Sequence, residues 1–379
     1  MKERNSGIDL LKILSMFMVV VLHIQGNGGM LGNSLQLSLN DSVMCFIEIL
    51  CYPAVNLFAL TTGYLCINKK IKLKNIINLW FLVVFYNVIF NFLCRGVGII
   101  QLLDSIFPVL NYDYWYFSAY FCLMLFIPFV NKYLNNISES DYRKLVFLIV
   151  FAACGLEFLA NIMGSDIFVI NDGYSAIWLL CLYIIGGYIK LYDFKSKNFS
   201  KKKCFILYLL FSFIPLLLRI VVLKNPFLQI FVRSDFMIKY NSIFIYLSSL
   251  FLFLLFIKIK VKDDYKKILS FLAGLSFSVY IIHFNPELKL VYLNGRLSFF
   301  TQKPVFEMVY MVLFSAFIIY ILCTVIDVIR YYLFKFLRVE KLSEKIDKKI
   351  VCLLTKKGWH AHFFIVSLFT RRERNGNKN

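Results

Sequence analysis

Apolar residues run along this chain in long stretches divided by short polar breaks. Ten stretches can be delimited: Ile8–Ile24, Val43–Ile67, Ile76–Cys94, Trp115–Tyr133, Leu145–Met163, Tyr174–Leu191, Cys204–Leu223, Ser242–Ile257, Ile268–Phe284 and Val305–Tyr331. Most approach the roughly 20 apolar residues that a helix needs to cross a bilayer. The ninth is the weakest and holds Ser270, Gly274, Ser276 and Ser278, small residues that suit close helix packing. The first is short and follows Lys2 and Arg4, as a signal peptide would be. It carries Lys12 and His23, however, and no small-residue cleavage site follows it, so it reads as a retained span. The pattern predicts an all-α polytopic membrane protein, a bundle of about ten transmembrane helices.

The charges sit in the breaks and orient the bundle. With the N-terminus in the cytoplasm, the inner segments carry 32 Lys and Arg and the outer loops carry 7, while Lys12, Arg219 and Arg330 fall inside spans. Such a bias predicts that both termini are cytoplasmic and that the protein resides in the cell (cytoplasmic) membrane. The formal net charge of +20 would suggest nucleic acid on a soluble chain. Here it collects in membrane-flanking loops, so membrane lipids are the expected partner and nucleic acid is not. After the membrane region, taken as residues 1–332, residues 333–379 hold 12 basic and 4 acidic residues. Phe334, Leu337, Leu342 and Ile346 recur there at helical spacing, which predicts a basic amphipathic cytoplasmic tail lying along the anionic inner leaflet. Within it, Trp359–Thr370 is apolar but too short to span.

Composition excludes other classes. The chain is 60% hydrophobic and 17% charged, with 41 Phe and 23 Tyr and a mean hydropathy of +0.71. That is too apolar for a disordered chain and argues against a soluble enzyme. The ten Cys lie mostly within apolar runs without a CxxC pair and read as small buried hydrophobes. His360 and His362 lie in the tail. No metal site is expected. Gly26, Gly28 and Gly29 follow a helix rather than a strand, so they read as a loop and not as a phosphate cradle.

An ionisable residue at membrane depth is costly and points to function. The topology places His23, Glu48, Glu157, Arg219 and His283 toward the outer ends of five spans, with Trp115 and Tyr116 opening a sixth at the same depth. Each alone suits a helix end or an aromatic belt. Together they predict a polar cavity open to the outside. Lys12 and His23, eleven positions apart, project from one helix face about 16 Å apart along the axis. Lys12 also suits snorkelling to the inner headgroups, and His23 suits a hydrogen-bonded helix end. As a pair they suggest a path with a cation at the inner end and a titratable base at the outer end. Imidazole can take a proton from a hydroxyl and return it to a leaving group.

These residues fall in recognisable surroundings. Gly7-Ile8-Asp9-Leu10-Leu11-Lys12 through Val19-Val20-Val21-Leu22-His23 resembles the start of the acyltransferase-3 family of integral membrane acyltransferases. The resemblance continues in Pro53-Ala54-Val55-Asn56-Leu57-Phe58, Thr62-Gly63-Tyr64, Tyr114-Trp115-Tyr116-Phe117, Tyr183-Ile184-Ile185-Gly186-Gly187-Tyr188 and Ser278-Val279-Tyr280-Ile281-Ile282-His283. It covers roughly residues 5 to 332. It implies an O-acyltransferase, most simply an O-acetyltransferase, that moves an acyl group from cytoplasmic acyl-CoA (acetyl-CoA) to a hydroxyl of a cell-envelope polysaccharide or its lipid-linked precursor. It also implies a catalytic His23 with Lys12 as its basic partner. Some members carry paired arginines near the start of the third span, where this chain reads Lys69-Lys70-Ile71-Lys72-Leu73-Lys74. On this reading CoA phosphates bind Lys12 and Lys72 or Lys74, and His23 is the general base. Glu48, Trp115, Tyr116, Glu157, Arg219, His283 and Asn285 face the acceptor, with Tyr116, Arg219 and Asn285 as alternative oxyanion donors. A transporter or flippase of lipid-linked sugars would also want a polar cavity, but no histidine in line with a cytoplasmic cation. A sensor built on the same bundle would have no need of His23.

Overall fold

The computed structural model describes residues 5–96, 98–110, 114–192 and 199–356, which are helical with no strand. Helix α1 (Ser6–Gln25) begins where Asn5 Oδ1 accepts the N–H groups of Gly7 and Ile8 at 3.0 and 3.3 Å, satisfying donors that a helix start leaves open. Helices α2 (Leu39–Cys51) and α3 (Pro53–Cys66) form one apolar stretch interrupted at Pro53, which has no N–H to return to the preceding turn. Then come α4 (Leu73–Arg95), α5 (Ile99–Ile106), α6 (Trp115–Leu134) and α7 (Glu139–Val150). The last continues through a π-helical turn, Phe151–Leu156, into α8 (Glu157–Ile162). The order is completed by α9 (Ala176–Tyr192), α10 (Lys201–Lys224), α11 (Pro226–Phe231), α12 (Ile243–Phe256), α13 (Asp263–His283), α14 (Pro286–Tyr292), α15 (Val305–Phe336) and α16 (Val339–Lys356).

Among the described residues, eight helical stretches are long and apolar enough to cross a membrane: α1, α2–α3, α4, α6, α7–α8, α10, α13 and α15. The protein is a multi-pass membrane protein. Each of the ten predicted runs has its helix, but the sixth and eighth helices are short. Helix α9 has 17 residues and α12 has 14, or about 26 and 21 Å, against a hydrocarbon core of about 30 Å. Their runs are themselves short, at 18 and 16 residues, and the helices begin two residues and one residue into them, behind Ser175 and Ser242. Ser175 Oγ accepts the Trp178 N–H, and Ser242 is the N-cap of α12. Both helices are walled in by their neighbours, and Trp178, Leu182, Tyr183, Ile245 and Phe253 are fully buried. Other helices run past their apolar stretch into charged residues, as where Ser138 and Ser200 cap α7 and α10.

Small residues set the closest crossing. At Gly63 of α3 a Cβ would lie 2.0 Å from the Tyr183 carbonyl oxygen of α9, and at Gly186 it would lie 2.2 Å from that of Leu60. The two backbones therefore touch where both chains lack a side chain, which is how helices gain van der Waals contact inside a bilayer. Helix α1 is central, packed on α2, α3, α12, α13 and α15. Arg330 is structural: its guanidinium clamps the fully buried Asp327 at 2.8 and 2.7 Å, and the Tyr86 hydroxyl donates to the same carboxylate. Helix α15 runs past residue 332 to Phe336, and α16 follows against α4. Trp359–Thr370, with His360 and His362, lies outside the described residues.

Candidate active site

The end of α1 brings His23 against the end of α13. His23 Nδ1 lies 2.8 Å from His283 Nε2, and His283 Nδ1 lies 2.6 Å from the Val279 carbonyl oxygen. A carbonyl can only accept, so His283 Nδ1 carries a proton and donates it. In neutral His283 the Nε2 atom is then an acceptor, and His23 Nδ1 must donate to it. This leaves the lone pair of His23 on Nε2, the nitrogen a base would use. One carbonyl thus sets both tautomers. The Phe284 ring stacks on His23 at 3.9 Å, and the Tyr292 hydroxyl donates to the His283 carbonyl, so the pair is held from several sides.

His23 opens into a cavity of about 360 Å³. Glu48, Trp115 and Tyr116, three of the residues singled out from sequence, line it too. Much of its wall is aromatic and was not anticipated. Trp115 packs at 4.7 Å on Tyr174 and 6.0 Å on Tyr240, and Tyr52 packs at 5.0 Å on Tyr240. Tyr174 and Tyr240 come from loops, where no periodicity marks them. Asn56 is the link: its Nδ2 donates to the Tyr240 carbonyl at 2.9 Å while its Oδ1 accepts Trp178 Nε1 at 2.9 Å. The rim is closed by Asn27 and Gly28, whose carbonyls accept the N–H groups of Gly295 and Leu297. Gly29 has φ +82°, and a Cβ on Gly28 would lie 2.0 Å from the Ile24 carbonyl oxygen. The glycines build a tight loop, as read from sequence.

The remaining predicted residues are placed elsewhere. His283 stands behind His23 rather than on the cavity wall. Arg219 lines a neighbouring compartment, bidentate to Asp41 at 2.8 and 3.0 Å. Asn285 lies outside the cavity wall: its Nδ2 donates to the Tyr114 hydroxyl at 2.9 Å and to Asn87 Oδ1 at 3.2 Å, and its Oδ1 caps α14. Glu157 shares the expected depth but faces away. Its Oε2 accepts the Phe168 N–H at 3.1 Å, because a loop peptide N–H in apolar surroundings needs an acceptor.

Toward the Lys12 end an aromatic column continues from the cavity. Tyr116 stacks on Tyr120 one turn along α6, and Tyr120, hydrogen-bonded to Thr62, neighbours Cys66. Lys12 lies on α1 eleven residues before His23, and it and Lys69 both act electrostatically on Cys66, the last residue of α3. Lys72 is exposed at the start of α4. Lys74 is engaged, with Nζ 3.0 Å from Glu340 and 2.8 Å from Glu344 of α16. The Lys74 ammonium holds the Glu344 carboxyl below the usual carboxylate range. A second pocket of about 370 Å³ at this end is lined by Lys69 and Lys70, from the basic segment set beside the family's paired arginines, and by Lys132, which the sequence reading counts only as loop charge. Among the described residues no group of three or more His, Cys, Asp or Glu is arranged to hold a metal ion.

Comparison with known families places this geometry. The acyltransferase-domain model of the acyltransferase-3 family matches residues 5–328, and the chain belongs to that family of membrane acyltransferases. No curated protein and no solved structure matches it.

Proposed function

We propose that this member of the acyltransferase-3 family moves an acyl group, most simply acetyl, from acyl-CoA at its Lys12 end to a hydroxyl of an extracytoplasmic polysaccharide or its lipid-linked precursor at its His23 end. The observation that carries this reading is the histidine pair, which presents an unprotonated Nε2 to a cavity while its other nitrogen is tied down. The excess of basic residues in the segments on the Lys12 side supports a cytoplasmic position for that end. CoA phosphates meet Lys12 with Lys69, Lys70, Lys72 and Lys132 nearby, and the extended pantetheine arm follows the Tyr120–Tyr116 column. As the acceptor oxygen bonds to the thioester carbon, His23 Nε2 takes the hydroxyl proton. The oxyanion that forms accepts a hydrogen bond from Tyr116. It collapses by breaking the C–S bond, and His23 returns the proton to the departing sulfur, leaving an ester and free CoA. The test is incubation of membranes with labelled acetyl-CoA. Ester-linked label on envelope glycan, lost with His23, is the expected result, and glycan without such label overturns the reading.

Lys12 has its own signature. Lys12→Ala removes a charged hydrogen bond to phosphate worth roughly 1.5–3 kcal/mol, so the apparent donor constant should rise about ten- to a hundred-fold. The rate at saturating donor should fall less, and Lys12→Arg should keep much of the activity. Unchanged acyl-CoA binding by purified Lys12→Ala would return Lys12 to a snorkelling role.

Orientation is tested separately. Single cysteines within residues 27–41 or 164–173 should react with an impermeant thiol reagent on intact cells, and ones at Lys201–Lys203 should not. Labelling of the latter would reverse the topology.

A further inference from the structure

A second compartment of about 670 Å³ adjoins the His23 cavity and shares Leu31, Glu48 and Tyr52 with it. Its character differs. Where the first is walled by aromatic rings, the second is lined by five acidic or basic side chains: Asp41, Glu48, Arg219, Arg233 and Asp235. Arg219 is bidentate to Asp41, and Arg233 is bonded twice to Asp235, at 3.1 and 3.0 Å. Asp41 also accepts the Ser34 hydroxyl and the Leu37 N–H. Drawing Arg219 away would strand a carboxylate that is only 7% exposed, which is strongly unfavourable. Two cations thus face three carboxyl groups, which leaves one carboxyl without a cation of its own. The odd group is Glu48, whose carboxyl makes no hydrogen bond or ion pair among the described residues and which lines both compartments.

This balance selects a ligand class. A phosphate entering the compartment would find the Arg219 fork spent on the buried Asp41, and only the exposed Arg233, itself paired with Asp235, at the outer edge, whereas phosphate recognition needs an available fork or ammonium. It would also face the unmatched Glu48. A sugar hydroxyl or an ammonium can donate to Glu48, and Gln36, Ser234 and Gln229 offer further polar contacts.

We infer that this vestibule holds the sugar next to the one being acylated, and that this neighbour is an uncharged or amino sugar joined without phosphate. The acceptor is then read as a chain of at least two such sugars, not as a sugar attached directly to a phosphodiester or a lipid diphosphate. The inference rests on the acyl-transfer reading and adds the class of acceptor.

Membranes given labelled acetyl-CoA supply the test, with ester-bearing fragments sequenced by mass spectrometry. The expected fragment carries its ester on a sugar whose neighbour is linked glycosidically and bears no phosphate. An ester on a sugar bonded directly to phosphate overturns the inference. Leu223→Trp and Ser234→Trp fill the vestibule from two different segments and should each lower glycan labelling at least tenfold at equal membrane abundance. Full labelling by both also overturns it. Should neither variant accumulate, the fragment analysis of the unaltered protein still decides. Absence of any His23-dependent ester is a different result, which removes the acyl-transfer reading itself.

Discussion

Replacing His23 with alanine should lower acyl transfer by about 10²- to 10⁴-fold, the usual cost of losing a general base, while the protein still inserts and accumulates. The effect is large because nothing else takes over the proton. His283, the nearest titratable ring, has Nδ1 committed to the Val279 carbonyl and Nε2 turned toward His23. Glu48 lines the same cavity and the polar vestibule as well, and no hydrogen bond joins it to His23 among the described residues. Insertion should survive because His23 is half-buried at a helix end and its removal strands no charge. The measurement is labelled acyl transfer per mole of purified protein beside unaltered protein. Near-normal turnover by well-expressed His23→Ala would remove His23 from catalysis.

What could be read from sequence follows from how each feature is encoded. Helices of a membrane protein are written locally as apolar runs, and each of the ten runs has a helix close to its predicted bounds. The runs for α9 and α12 are short in the sequence too, and they exceed the helices by only one and two residues. Depth is also local. It brought His23, Glu48, Trp115 and Tyr116 to one level, and they share one cavity. The direction a residue faces is not local. Glu157 has the expected depth, but its carboxylate turns to its own loop at Phe168. Tyr174 and Tyr240 reach the wall through loops near Asn56 of α3, which is more than 120 residues away in sequence from Trp178 and Tyr240, the partners it bonds. Pairing is equally hidden. Nothing near Lys74 announces Glu340 and Glu344, or near Arg219 announces Asp41, until the helices are packed.

On the proposed mechanism, that packing favours Tyr116 among the three oxyanion donors left open by sequence, and Tyr116→Phe is the experiment that follows. Arg219 has its fork on Asp41 in the neighbouring compartment, and the Asn285 amide is spent on Tyr114 and Asn87. The Tyr116 hydroxyl is different: it is buried, has no hydrogen-bond partner among the described residues, and belongs to a residue on the cavity wall with His23. An unsatisfied buried hydroxyl costs about 1–3 kcal/mol, a cost that a developing oxyanion relieves in the transition state alone. Loss of one such donor lowers the rate by about 10²- to 10³-fold. Because the bond forms in the transition state, the fall should appear in kcat with little change in the KM of either substrate. Stability should move the other way. Tyr116→Phe keeps the ring that stacks on Tyr120 and deletes the unpaired group, so the Tm in detergent should hold or rise. A hydroxyl that merely supported the fold would give the reverse, a lower Tm with turnover largely kept, and that outcome would return the oxyanion to another donor.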